Sequence, residues 1–96
     1  MKLALVGATG IVGETILRIL ETRPLAIERL DAFASRERPD PLVFRGQPLP
    51  VRAASADALR AGGYAAVLFA SSDDASIELA PAALGGGALR IDFGHD

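Results

Sequence analysis

Three glycines, Gly7, Gly10 and Gly13, stand at intervals of three directly after the apolar run Leu3 to Val6 and directly before a helical pattern. Residues of this type at this spacing can hold a pyrophosphate. Gly7 lets the chain turn sharply out of a strand, because it tolerates positive φ without a Cβ clash. Gly10 lets the backbone approach the phosphates, and Gly13 lets the following helix pack tightly on the strand. The phosphates then lie at the helix N-terminus, where unpaired N–H groups and the helix dipole both favour negative charge. The spacing G-x-x-G-x-x-G is one residue longer at its first step than the commonest G-x-G-x-x-G fingerprint. The same three glycines also suit a plain strand-to-helix turn in which they serve packing alone. The strand-turn-helix context is what makes phosphate binding the reading to test.

In an open α/β sheet, ligands bind beyond the carboxyl ends of the strands. Three loops leave such ends in this chain: Gly7 to Gly13, Ser35 to Asp40 and Ser71 to Asp74. All three are expected to line one crevice. The second sets the choice of dinucleotide. A carboxylate there bonds the ribose 2′-hydroxyl of NAD, whereas a basic residue pairs with the 2′-phosphate of NADP. The loop reads Ser35, Arg36, Glu37, Arg38. Two arginines and a serine favour NADP, and Glu37 keeps NAD open; a solvated charged loop with no ligand is the alternative. Ser71 and Ser72 suit hydrogen bonds to cofactor ribose or phosphate, or simply the capping of a helix.

No reaction centre accompanies this cradle. The 96 residues contain no Cys and one His, His95. That leaves no thiolate chemistry, no metal-ligand cluster and no nucleophile with a base beside it. Asp73 and Asp74 are adjacent and cannot form a spaced acid/base pair. No residue is assigned a catalytic or a metal-binding role. A formal net charge of −2 provides no basic field for a nucleic acid. The apolar stretches are too short to span a membrane, and the apolar run at the N-terminus breaks at Gly7 without a cleavage pattern. A cytoplasmic protein of one domain is expected. Half of the residues are hydrophobic but only 5% are aromatic, so the core must be built from Leu, Val, Ile and Ala.

The elements that must position these residues follow from the pattern. Leu3 to Val6 reads as a strand buried on both faces. Apolar positions from Ile11 to Leu20 recur at helical spacing, with Thr9 as N-cap and Pro24 marking the end. Arg29 to Ala34 reads as a second strand, interrupted by Asp31. Leu42 to Val51 reads as a hairpin turning at Gly46. Asp57 to Arg60 forms a helical turn closed by Gly62 and Gly63. Ala65 to Ala70 reads as a buried strand, Ser71 to Asp74 as the cap of a helix running to Leu84, and Ala88 to Asp92 as a last strand. Strands alternating with short helices predict a Rossmann-like parallel α/β sheet. Leu3–Val6 should be central, flanked by Ala65–Ala70 and Leu30–Ala34.

This ordered set resembles the N-terminal dinucleotide-binding domain of the aspartate-β-semialdehyde dehydrogenase family. The matching positions are Gly7-Ala-Thr-Gly-Ile-Val-Gly13, Ala34-Ser35-Arg36-Glu37-Arg38, Phe44-Arg45-Gly46, Phe69-Ala70-Ser71, Ala80-Pro81 and Arg90-Ile91-Asp92. The resemblance covers essentially the whole chain. It implies NADP-dependent oxidoreductase chemistry in amino-acid biosynthesis. Thr9, Gly10, Ile11 and Val12 would touch the cofactor phosphates, Ser35 to Arg38 the 2′-phosphate, and Ser71 and Ser72 the ribose or nicotinamide side. Two positions depart from the family. Glu37 stands where the family has Arg, and Phe93-Gly-His-Asp96 replaces Asn-Ser-Ser. The family's catalytic cysteine, its basic substrate-binding residues and its dimer-forming domain lie beyond the point that matches Asp96. Residues 1–96 thus read as a dinucleotide-binding domain alone. It is expected to be inactive by itself and to present an apolar surface near Phe93 and Leu89–Ile91, covered in a homo-oligomer or by a missing partner domain. A non-enzymatic paralogue acting as an interaction domain is the alternative.

Overall fold

The structure, a computed structural model, describes residues 1–70, 81, 85 and 87–93. Its elements are β1 (Lys2–Val6), α1 (Ile11–Thr22), β2 (Arg29–Ala34), β3 (Leu42–Phe44), β4 (Gln47–Leu49), β5 (Val51–Ala53), α2 (Ala56–Ala61), β6 (Ala66–Phe69) and β7 (Leu89–Asp92). Five of the strands form one sheet in the order β5-β2-β1-β6-β7, and every pairing in it is parallel. β1 is central and lies between β2 and β6, as its continuous run of Leu, Ala and Val predicts. The chain winds outward from β1 to one side, returns, and winds out to the other. That is the doubly wound order, with its switch point at the carboxyl end of β1.

Alternation along the strands sends successive side chains to opposite faces. Leu3 and Leu5 meet Ile16, Leu17 and Leu20 of α1, while Ala4 and Val6 join Val67, Phe69, Leu59 and Tyr64 on the other face. The helix thus buries its apolar stripe on one face only, and α2 covers part of the second. On the α1 face, β6 and β7 form the floor of an apolar groove of about 440 Å³ with Leu68, Ile91 and Phe93 among its walls.

Three expectations are corrected. Thr9 does not cap α1: Gly10 is the N-cap and provides no side-chain bond, having no side chain. The hairpin is shorter than its sequence span. β3 and β4 pair antiparallel through Phe44↔Gln47, but Val51 leaves them and pairs with Ala32 in the main sheet. Pro50 separates the two roles by breaking the β4 ladder before β5 begins. Asp31 does not interrupt β2. Its carboxylate accepts hydrogen bonds from Arg29 Nε, at 3.0 Å, and from the Tyr64 hydroxyl, so a charge is accommodated within the strand. Burial, reinforced by the bond to Asp31, pushes the Tyr64 phenol up to about 12.

The hairpin turn has a second use. Arg45 (φ 52) and Gly46 (φ 79) are both left-handed, the geometry of a two-residue type I′ turn. The turn aims the Arg45 guanidinium at α1, where Nη2 donates to the carbonyls of Leu20, Arg23 and Leu25, each at 3.2 Å. The last turn of α1 has no basic residue of its own. Arg45 therefore supplies the positive charge and the donors that a helix C-terminus calls for. The expected helix after Ser71–Asp74, with Ser71, Ser72, Asp73 and Asp74 themselves, and His95 lie outside the described residues.

Candidate functional site

The loop from Gly7 to Gly13 is fixed almost wholly by its backbone. Gly7 has φ 84, which only glycine adopts without strain. Its N–H and that of Ala8 both donate to the Phe33 carbonyl, at 2.8 and 3.1 Å, so the turn is pinned to the end of β2. Gly13 packs directly beneath this turn. A Cβ there would lie 2.2 Å from the Gly7 carbonyl oxygen and 2.8 Å from Ala8 backbone atoms. These two glycines are demanded by the fold.

Gly10 is different. Its backbone is extended (φ −81, ψ 175), a conformation open to any residue. A Cβ would meet only the Gly7 oxygen, at an ordinary 3.7 Å. Nothing inside the protein requires a glycine here, and the position faces open space at the mouth of α1. The N–H groups of Ile11, Val12 and Gly13, the first three of the helix, have no acceptor among the described residues. Ile11, the first helical residue, is 85% exposed. Bare backbone, unpaired donors, a helix N-terminus and uncovered apolar surface converge at one point. A pyrophosphate fits that combination, because its oxygens can accept the free N–H groups and a Cβ at Gly10 would occupy its approach.

The second loop leaves β2 at Ala34 on the same side of the sheet. Ser35, Arg36, Glu37 and Arg38 are all exposed. Arg38 does most to order this loop. Its N–H donates to the Val51 carbonyl at 3.2 Å, and its Nη2 reaches the Thr9 hydroxyl at 3.5 Å. The structure thus brings Arg38 against the glycine loop, and Thr9 serves as its partner and not as a helix cap. Arg36 and Glu37 make no hydrogen bond or ion pair among the described residues. A groove of about 440 Å³ lies between the two loops, lined by Thr9, Arg38, Glu14 and Asp40 among others. Asp40 closes the loop expected from the sequence to line this crevice, whereas Glu14 is a lining residue that the sequence pattern does not assign to it. The signal for Glu14 was its position one helical turn beyond Gly10. No group of acidic or His side chains among the described residues could hold a metal ion.

A family model described as "Semialdehyde dehydrogenase, NAD binding domain" matches residues 2–96. The chain belongs to this family. It is 37% identical over 93 residues to an aspartate-semialdehyde dehydrogenase of Bacillus subtilis, covering 96% of this chain and 26% of that protein. It is 35% identical over 92 residues to the enzyme of the same name from Aquifex aeolicus, covering 95% of this chain and 27% of that protein. Among solved structures, a probable aspartate-semialdehyde dehydrogenase from Pseudomonas aeruginosa superimposes with a TM-score of 0.80 at 28% identity. That match covers 97% of this chain and 28% of the other. Aspartate semialdehyde dehydrogenase II from Vibrio cholerae gives a TM-score of 0.79 at 28% identity, with the same coverage of each chain. The chain thus spans about a quarter of the length of these relatives. It is a Rossmann-like, nucleotide-binding type of domain, and no helix among its described residues is long and apolar enough to cross a membrane.

Proposed function

We propose that this chain binds NADP, with NAD as the weaker ligand, as the cofactor-binding part of a dehydrogenase that oxidises a semialdehyde to an acyl phosphate. Gly10 carries the proposal: the fold does not need a glycine there, whereas a pyrophosphate at the helix mouth does. NADP, when bound, supplies hydride acceptance; the chain supplies position and electrostatics. In this reading Gly7 and Gly13 shape the loop, and Thr9, Gly10, Ile11 and Val12 meet the phosphates. Arg38, with Arg36 and Ser35, faces the 2′-phosphate through charge-assisted hydrogen bonds, while Glu37 can accept from a 2′-hydroxyl. Ser71 and Ser72 complete the ribose side.

The test is calorimetric titration of the purified chain with NADP and with NAD. Saturable binding of both is expected, tighter for NADP. Gly10→Val should abolish both while lowering the thermal unfolding temperature only by the small amount that a poorer N-cap costs. Arg36→Ala combined with Arg38→Ala should weaken NADP far more than NAD. Equal loss for the two cofactors would reduce the arginines to surface charge. No binding by the unmodified chain would leave only a non-enzymatic role as an interaction domain. That second reading draws on Phe93, which stands where the resemblance calls for Asn, and on the lack of Cys in the 96 residues. An acyl-enzyme step of the thioester type needs a thiolate. The chain alone is therefore expected to turn over no aldehyde with NADP.

A further inference from the structure

The groove of about 440 Å³ between the glycine loop and the loop after β2 carries charges of both signs: Arg38, Glu14 and Asp40 all line it. Glu14 stands in the first turn of α1, four residues past the Gly10 cap, so its carboxylate comes from the helix side. Asp40 follows Arg38 by two positions and lies between Pro39 and Pro41, whose fixed φ angles stiffen the segment that carries it. All three charged residues are exposed. Among the described residues neither carboxylate forms an ion pair, and the Arg38 guanidinium is bonded to the Thr9 hydroxyl. One guanidinium and two carboxylates thus share a single space without cancelling at contact distance.

We infer, on the basis of the cofactor binding proposed above, that Glu14 and Asp40 are specificity-determining residues that hold down the preference for NADP and keep NAD a usable ligand of the same site. The two dinucleotides differ only at the adenosine 2′ position. NADP carries there a phosphate monoester of about −1.5 to −2 charge, and NAD a neutral hydroxyl. The screening length, about 10 Å at 0.1 M salt, spans a groove of this volume, so a phosphate drawn to Arg38 also feels both carboxylates. For NADP the attraction to the guanidinium is therefore partly offset. NAD, uncharged at that position, feels little of either effect, and its hydroxyl can donate a hydrogen bond to a carboxylate where a fully ionised phosphate cannot. The pyrophosphate is common to both cofactors. Whatever Glu14 does to it at the helix mouth acts on both alike and cancels in the ratio of their affinities. That ratio is the quantity the two carboxylates set.

Calorimetric titration with NADP and with NAD, at low and at high salt, tests this on Glu14→Gln, on Asp40→Asn and on the two combined. At low salt each single variant should raise the ratio of NADP to NAD affinity by about threefold, and the double variant by about tenfold. The rise should shrink at high salt, where the field of the carboxylates is screened. Glu21→Gln, on the same helix but lining a different groove, should leave the ratio unchanged. If the unmodified chain binds NADP and the double variant shows an unchanged or lower ratio, the assignment of Glu14 and Asp40 is overturned and the cofactor reading stands. A rise that high salt does not diminish overturns it as well, since packing and not charge would then be the cause. Binding of neither cofactor by the unmodified chain overturns the cofactor reading, and the assignment falls with it.

Discussion

The glycine loop after β1 and the charged loop after β2 leave the same end of the sheet, yet they are held in opposite ways. The first is fixed by backbone: two N–H groups on the Phe33 carbonyl and a glycine packed under the turn. The second is fixed largely by one residue, Arg38, through its N–H on Val51 and its guanidinium on Thr9. A loop fixed by backbone tolerates almost no change in shape but says little about ligand identity. A loop held by one backbone bond and one exposed side-chain contact can be retuned by one substitution, and it is the place where we expect cofactor choice to be set. Fixed geometry and adjustable chemistry are divided between adjacent loops.

The largest expected effect breaks the first loop outright. Gly13→Ala places a methyl group 2.2 Å from a backbone oxygen that cannot move aside cheaply. We expect a loss of about 3 kcal/mol or more, read by urea unfolding followed by circular dichroism. A variant as stable as the parent would show that the turn is not packed as described. Gly10→Ala sharpens the contrast, since its added Cβ meets only an ordinary contact. Stability should change little, while NADP and NAD affinity fall together.

In the second loop the two arginines should separate. Arg38→Ala removes a guanidinium held beside Thr9 and should cost NADP affinity about tenfold or more, the value of a charge-assisted hydrogen bond. Arg36→Ala, at a side chain with no partner among the described residues, should cost less; titration of each single variant with both cofactors decides. If Arg36 proves the stronger, the loop rearranges around the ligand.

The smallest effect lies away from both loops. Tyr64 is the one tyrosine and there is no Trp, so alkaline absorbance reports this phenol alone. Its value is raised from 10.0 to about 12 in the folded chain. The neutral form is the one the fold favours. Its stabilisation is therefore complete below pH 10 and is lost as pH rises from about 10 to 12. Ionisation near 10 with the fold intact would contradict the buried bond to Asp31.

What could be read in the sequence follows the same division. The β1 strand, α1 and the three glycines were legible because period, burial and backbone sterics act over a few neighbouring residues. Even β2 was placed correctly, although Asp31 looked disruptive: the partner that satisfies it, Tyr64, lies 33 residues away, beyond the reach of a local pattern. Val51 was assigned to the hairpin because local alternation ran through Pro50, whereas its true partner, Ala32, belongs to the main sheet. Thr9 looked like a cap because a hydroxyl before a helix usually is one. Only the approach of Arg38 across 29 residues gives that hydroxyl its role. Side-chain partners distant in sequence were the part that pattern could not supply.

Arg45 links two segments in time as well as in space. The end of α1 is completed by a residue that follows it by more than twenty positions, across β2 and half of the hairpin. The Leu20 carbonyl of the last turn gains this donor only when the type I′ turn has closed, so the end of the helix is expected to fray until then. The final turn of α1 and the β3–β4 hairpin should therefore gain and lose amide protection together, as one cooperative unit. During folding, we expect the turn at Arg45–Gly46 to act as a latch, its closure satisfying the Leu20 carbonyl inside the first helix and the Arg23 carbonyl at its cap.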